Sequence, residues 1–472
     1  MRLGGGGQRP AEPAGAGSVI FCGVGHARNA PIDDHGDLGV PVDYSPVSIP
    51  AAYRESGVSD LGMSAAGEAS IPVPPAVAPL ASAVCRDLAL HPVNPGIWFG
   101  IGTVDDVGAL ARLWTAFEPE ADATPFTAWS WLGNWVAMLP RSGQLYLGVV
   151  QEQGAITALG LLWSSSCWRR VIRLNRLQLH ECGVPEIDSL CIECNGLLAR
   201  RGARVEATAA LLQGLLRHPG VPRWDELALP GFDAAGDVRA HAARLRLTVD
   251  ERVVPSYFVD LAALRDAGKT YLEALCSKTR RKIKGAMREY EQRYGNIKCE
   301  LSRDVAEAEA FMAELMVLHQ ENWVARGQPG VFANPRFVDF HRRLIRDLHE
   351  RGGVRLLRVR AGGQTIGLLY LLMRDGIVSF YQSGYQFGLE VRHEIPGLVA
   401  IAAALECLRE QGCASFEFLA GRQQYKSELG LGCRERSWLV LQRPRLALRV
   451  ERAVRQWRRR LPERWRRPFA AG

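Results

Sequence analysis

With 472 residues, 47% apolar and 23% charged, the chain is long enough for two or three domains of ordinary soluble composition. Its net charge of +8 is local: residues 443–469 hold eleven Arg against Glu451 and Glu463, and the remainder sums to about −1. The body is neutral and the basicity local, and nucleic acid is not expected as a partner. The eleven Cys are odd in number, scattered and set in apolar contexts, which fits reduced thiols rather than a disulfide framework. No apolar run reaches the roughly 18–20 residues of a membrane span, and MRLGGGGQRP lacks the apolar core of a signal peptide. A cytoplasmic body is expected.

Residues 1–94 are rich in Gly, Ala, Pro and Ser without periodicity and are expected to form a disordered leader. From Ile97 the pattern changes. Val104, Val107, Leu110, Leu113, Trp114 and Phe117 recur at helical spacing, a Trp-rich stretch follows (Trp129, Trp131, Trp135), and residues 145–163 read as a hairpin turning at Glu152-Gln-Gly154. The same unit returns 210 residues later in residues 355–373, with Leu147 over Leu357, Val149 over Val359, Ile156 over Ile366 and Leu161 over Leu371. Two helical patterns precede the second hairpin, at 305–325 and 336–350, and a buried helix and strand follow each hairpin. This order predicts a duplicated α/β unit, bounded at 95–255 and 256–442, with an Arg-rich tail at 443–472.

Ser256–Leu261 reads as the strand opening the second unit, and Thr270–Tyr294 as one long helix. Asp375-Gly376 adds a tight turn, making a three-strand meander of 355–386. The helix Gly397–Gln411 is apolar on nearly every side and must be buried. It starts just after Pro396-Gly397, with Arg392 and His393 upstream, and a buried start with unpaired N–H groups suits an anion. The strand Ser415–Leu419 then delivers Glu417 and leads to Gly421-Arg-Gln-Gln-Tyr-Lys426.

Meander, anion-binding helix start, then strand resembles the core order of the GNAT superfamily of acyltransferases. Tyr381-Gln-Ser-Gly-Tyr385, Ile395-Pro-Gly397, Phe416-Glu-Phe-Leu419, Gly421-x-x-x-Tyr425-Lys426 and Trp323-x-x-x-Gly327 resemble one branch over residues 97–440. That branch is the tandem-GNAT, Fem-like acetyltransferases associated with cellulose and exopolysaccharide biosynthesis. The resemblance implies an α/β fold of two tandem GNAT-like units with mixed, mainly antiparallel sheets flanked by helices. It implies acetyl-CoA or another acyl-CoA as donor, and a saccharide or lipid-linked saccharide as acceptor. Where the superfamily places two glycines in its phosphate loop, this chain has Arg392 and then Pro396-Gly397; Glu417 stands where the branch commonly has Asp.

The implied chemistry is direct attack of an amine or hydroxyl on a thioester, which needs a base and a donor to the leaving thiolate. Glu417 is the candidate base, with Tyr425, Lys426 and Tyr381 as further catalytic candidates. Arg392, His393, Pro396, Gly397 and Leu398 are candidates for the donor site. Tyr385, Trp323, Arg280 and Lys284 are candidates for the acceptor, the last two from the run Lys278-Thr-Arg-Arg-Lys-Ile-Lys284. The first copy is expected to be degenerate and to shape the acceptor cleft. Cys191-x-x-Cys194, near Cys182, reads as buried thiols, and no metal is expected. Two rival readings stand: a Fem-type transferase using aminoacyl-tRNA, and a catalytically inactive scaffold of a polysaccharide machine. In the tail, Val450, Val454, Trp457, Leu461 and Trp465 form an apolar stripe among Arg. That pattern predicts attachment to an anionic membrane surface, at the inner face of the cytoplasmic membrane.

Overall fold

The computed structural model describes residues 78–169, 172–232 and 235–451. The expected leader up to residue 77, and the apolar stripe of the tail beyond Glu451, lie outside the described residues. The first unit comprises α1 (Pro79–Val84), β1 (Ala89–Asn94), β2 (Ile97–Thr103), α2 (Val107–Phe117), α3 (Trp129–Val136), β3 (Gln144–Glu152), β4 (Ala155–Arg169), β5 (Ile172–Leu179), α4 (Pro185–Asp188), β6 (Leu198–Ala199), α5 (Arg204–Arg217), β7 (Glu226–Phe232) and α6 (Ala235–Arg244). The chain continues as β8 (Thr248–Asp260), α7 (Leu261–Asp266), α8 (Tyr271–Ala274), α9 (Ser277–Tyr294), β9 (Ile297–Leu301), α10 (Val305–Val324), α11 (Pro335–Leu348), β10 (Val354–Ala361), β11 (Gln364–Arg374), β12 (Ile377–Tyr385), α12 (Pro396–Glu410), β13 (Ser415–Ala420), α13 (Gln424–Leu429) and β14 (Gly432–Gln442).

Local chemistry sets these boundaries. Asp106, Asp304 and Asn334 cap α2, α10 and α11 by accepting N–H groups of their first turns. Gln153-Gly154 and Asp375-Gly376 turn their hairpins with both residues at positive φ, as a two-residue loop requires.

The described strands form one mixed α/β assembly around a continuous sheet, ordered β1-β2-β3-β4-β5-β7-β14-β8-β13-β12-β11-β10-β9, with β6 on β4. Among the described strands, only β5–β7 and β12–β13 pair in parallel. The two halves are joined by exchange. β8 follows β7 in the chain but pairs with β13, and β14 follows β13 but pairs with β7. The two exchanged strands pair with each other from Gly432–Phe258 to Gln442–Thr248. On one sheet face, α2, α3, α10 and α11 share a single core. On the other, α5 and α12 each cover a core of their own.

Three details differ from the expectations. Residues 78–94 belong to no leader: α1 buries Ala81 and Val84 in the shared core, and β1 pairs with β2 from Ala89–Ile101 to Asn94–Ile97. Short polar-flanked Leu90 and Val93 were too few to register as a strand. The expected helix Thr270–Tyr294 is two helices, because Thr270 and Glu273 close a capping box on α8 while Leu275 and Cys276 take extended backbone. The repeat is present, but its structural offset is 209 residues. Leu145, Leu147, Leu159 and Leu161 face the shared core, and so do Val354, Leu356, Leu368 and Tyr370; Leu357 and Leu371 face the opposite core. The hairpin bulges at Val150/Gln151 and Val359/Arg360 keep the same offset. Leu356 and Leu357 of β10, and Leu368 to Leu372 of β11, are apolar at consecutive positions because both sheet faces are covered there, so alternation could not fix the register, and a one-residue slip exchanges the faces.

Gly384 of β12 shows how closely α10 lies on the sheet. A Cβ there would meet the Leu315 carbonyl at 2.5 Å and Leu318 Cβ at 3.0 Å. Gly384→Ala is therefore expected to destabilise the fold by roughly 1–3 kcal/mol. A urea midpoint unchanged at constant slope would contradict this close approach.

Candidate active site

The chemistry-bearing residues gather where β12 and β13 part. These parallel strands pair at Ile377–Ser415, Val378–Phe416 and Ser379–Glu417, and then diverge. In β12, Tyr370 faces Gln382 and Leu371 faces Phe380, so Tyr381 is the extra residue of a bulge. In β13 the register with β8 breaks between Glu417 and Ala420, and Leu419 takes a left-handed φ of 61°. A leucine holds that conformation only where its surroundings impose it. Lys426 is one such constraint: its buried Nζ donates to the carbonyls of Leu419 (3.2 Å) and Ala420 (2.8 Å). Gly421 is another, since a Cβ there would lie 2.9 Å from Lys426 Nζ. The Gly421-x-x-x-Tyr425-Lys426 pattern is thus a device for bending the end of β13.

Glu417 stands at the last paired position and is 4% exposed. Its Oε1 meets Arg434 at 3.2 Å, while Oε2 has no hydrogen-bond partner among the described residues. Burial pushes its carboxyl above the ordinary carboxylate range, and the guanidinium groups of Arg434 and Arg436, with a weaker contribution from the Ser415 hydroxyl, oppose that rise. Arg434 is itself fixed over the Phe258 ring, 4.2 Å from its centroid. A buried oxygen left open in this way is suited to accept a proton or a hydrogen bond from a bound group.

The sequence reading missed Glu193. This buried carboxylate comes from the first unit and crosses the seam, where its Oε2 accepts the N–H of Ala420. Burial raises its carboxyl, and Lys426, the Ala420 N–H and Arg436 counter this. Cys191, at φ 50°, sets its Sγ 4.0 Å from Glu193 Oε1. Burial pushes that thiol well above its ordinary value, so it is not a ready nucleophile. A narrow cavity of about 30 Å³ lies between Ser189, Cys191 and Glu193 on one side and Tyr381, Gln382 and Lys426 on the other. The available signal was an acid inside the otherwise apolar run Leu190-Cys-Ile-Glu-Cys194. Among the described residues, no three His, Cys, Asp or Glu side chains are grouped to hold a metal ion.

Tyr381 is a junction between the units. Its hydroxyl donates to the Leu190 carbonyl, and its ring packs among Phe126, Trp131, Phe337 and His341. Burial drives His341 down to about 3, so it is neutral there. Tyr425 is buried on the α12 side, with its ring 6.2 Å from that of Phe418.

α12 starts at Pro396 with no side-chain cap and no acid in its first turn. The N–H groups of Gly397 and Leu398 therefore have no intrahelical acceptor. Ala400 and Tyr385 both crowd Gly367 of β11, which sets this helix start beside the end of β12. The Tyr385 carbonyl accepts from Asn322 at 2.8 Å, which places half-buried Trp323 at the same end. Arg392 and His393 are exposed, and His393 is held by Glu289 of α9. Arg280 does not join them. Arg280 donates to the Glu273 carbonyl at 3.0 Å, and it lies nine residues, roughly 13 Å of helix, from Glu289.

The first unit has a matching fork that its own chain fills. β5 and β7 pair over Arg176–Glu226, Leu177–Leu227 and Gln178–Ala228. Beyond that, the Asn195 N–H donates to the Gly231 carbonyl (3.0 Å), and Asn195 Nδ2 donates to the Leu179 carbonyl (3.2 Å). His180 Nδ1 completes the plug by donating to Asn195 Oδ1 at 2.7 Å, while its Nε2 accepts the Leu161 N–H.

If Lys426 holds the bend, Lys426→Met should cost roughly 3 kcal/mol or more, because two buried carbonyls lose a charged donor and Glu193 loses a nearby cation. A melting temperature equal to that of the parent protein would refute this role.

Residues 277–427 match the family model described as Acetyltransferase (GNAT) domain. A comparison with curated protein sequences gave no match. Among solved structures the chain is similar to FemX, at 12% identity and a TM-score of 0.47, covering 70% of this chain and 95% of that one. It is also similar to the C-terminal domain (DUF2156) of a putative lysylphosphatidylglycerol synthetase from Agrobacterium fabrum, at 11% identity and a TM-score of 0.43, covering 74% and 97%. A tandem GNAT protein from the clavulanic acid biosynthesis pathway aligns at 13% identity and a TM-score of 0.35, covering 74% and 99%. The region that holds the open fork thus lies within the residues, 277–427, that are similar to the acetyltransferase (GNAT) domain family.

Proposed function

We propose that the second unit transfers an acyl group, acetyl from acetyl-CoA in the first instance, to an amine or hydroxyl of a saccharide or lipid-linked saccharide. One observation carries the reading: β12 and β13 separate beside an uncapped helix start, with Glu417 at the point of separation. A slot between two parallel strands admits a slender thioester arm. The N–H groups of Gly397 and Leu398 suit the phosphates at its other end. The acceptor class rests on the polar side chains around the seam, where Ser189, Gln382 and Gln423 offer hydroxyl and amide partners for sugar hydroxyls.

In this reading Glu417 accepts the proton of the attacking amine or hydroxyl as it bonds to the acyl carbon. Tyr425 returns a proton to the sulfur as the carbon–sulfur bond breaks. Tyr381 holds the first unit against the site. Asn195 closes the first fork, which supports one donor site for each chain.

Glu417→Gln should bind acetyl-CoA about as tightly as the parent, by calorimetry, yet release free thiol about 10²–10⁴ times more slowly. Retained turnover would remove Glu417 as the base; loss of donor binding in the parent itself would remove the acyl-CoA reading. Because burial raises the Glu417 carboxyl, the acid limb of kcat/KM should fall above the ordinary carboxylate range. Arg434 favours the ionised form, so Arg434→Gln should move that limb further up. A downward shift would contradict the assignment.

A further inference from the structure

A second feature lies at the other fork's base, where β5 and β7 begin and β14 ends, and it does not depend on acyl transfer. Trp168, in the β4–β5 hairpin, is 71% exposed and sits opposite Arg173 in the strand register. Residues 445–451 lie along this hairpin: Arg445 donates to the Arg173 carbonyl at 3.0 Å, and Glu451 meets Arg169 at 3.0 Å. That segment buries Leu448 and presents Leu446 (75% exposed) and Val450 (55%), whose four-residue spacing forms one helical stripe. Between hairpin and segment is an open hollow of about 380 Å³, lined by Arg173, Asn175, Arg223, Asp225 and Arg445. Asp225 is engaged by Arg445 at 3.1 Å and by the Asn175 N–H at 2.9 Å. Three guanidinium groups against one carboxylate leave two positive charges, and no carboxylate among the described residues pairs with Arg173 or Arg223.

We propose that this face docks on an anionic phospholipid surface, with lipid phosphates in the arginine hollow and Trp168, Leu446 and Val450 at the headgroup boundary. Each part meets a separate requirement. Guanidinium groups match phosphate oxygens in pairs. A tryptophan beside arginines is the side-chain combination that sits at a membrane–water interface. The exposed aliphatic stripe has no use in holding a free phosphate ester. The sequence beyond Glu451 continues the same alternation, with Val454, Trp457, Leu461 and Trp465 among Arg.

The test is sedimentation of the full chain with vesicles of phosphatidylcholine, alone or mixed with phosphatidylglycerol. Binding is expected only with phosphatidylglycerol and should weaken with salt. Each cation near such a surface contributes about fivefold, so Arg173→Glu with Arg223→Glu should weaken partitioning about 25-fold or more. Trp168→Ser should weaken it independently. Unchanged partitioning of these variants, with loss only when residues 452–472 are deleted, would assign binding to the tail alone and overturn the proposal. Displacement from vesicles by millimolar inorganic phosphate at constant ionic strength would identify a soluble phosphate site, and would overturn it as well.

Discussion

The pairing of β8 with β14 is the constraint on which the rest depends. Each forked strand, β7 or β13, needs a neighbour on its far side, and each obtains it from the strand that follows the other fork. An unfilled edge would leave a row of backbone donors and acceptors without partners. Exchange removes both edges at once and makes a single sheet of two units. It also sets α2 and α3 of the first unit beside α10 and α11 of the second on one face, where they share a core, and brings the loop after α4 against the end of β13.

That seam is where ionisable groups are buried together. Glu193, Lys426, Arg436, Glu417 and Arg434 carry opposite charges at short range, and burial works against each carboxylate's charge. Such groups contribute little net stability, since desolvation consumes most of their attraction. Their effect is geometric. Lys426 and Glu193 fix both sides of the Leu419–Ala420 backbone, and the left-handed Leu419 persists because both hold it. The slot between β12 and β13 is therefore built from the seam, not from the second unit alone.

Much of this was legible in the sequence. The Gln-Gly and Asp-Gly turns, the all-round apolar α12 and the order of elements gave the fold, because turn chemistry and burial are local properties. Glu417, Tyr425 and Lys426 could be read together as candidates because they lie within one short segment. Glu193 was not, since it reaches Ala420 from 227 residues away and only the tertiary fold joins them. The 210-residue alignment failed for a different reason. Both faces of β10 and β11 are buried, so Leu356 and Leu357 are equally apolar and carry no mark of which way each points.

The exchange has a consequence for the order in which the molecule is made. β7 ends at Phe232, but the strand that covers its edge ends at Gln442, 210 residues later. At a synthesis rate of 5–20 residues per second, that interval is about 10–40 s. During it the nascent first unit carries an open parallel-sheet edge, which invites intermolecular strand addition. The first half of the chain thus reaches its final topology only when β14 leaves the ribosome, and long-range closure rather than local helix formation sets the pace.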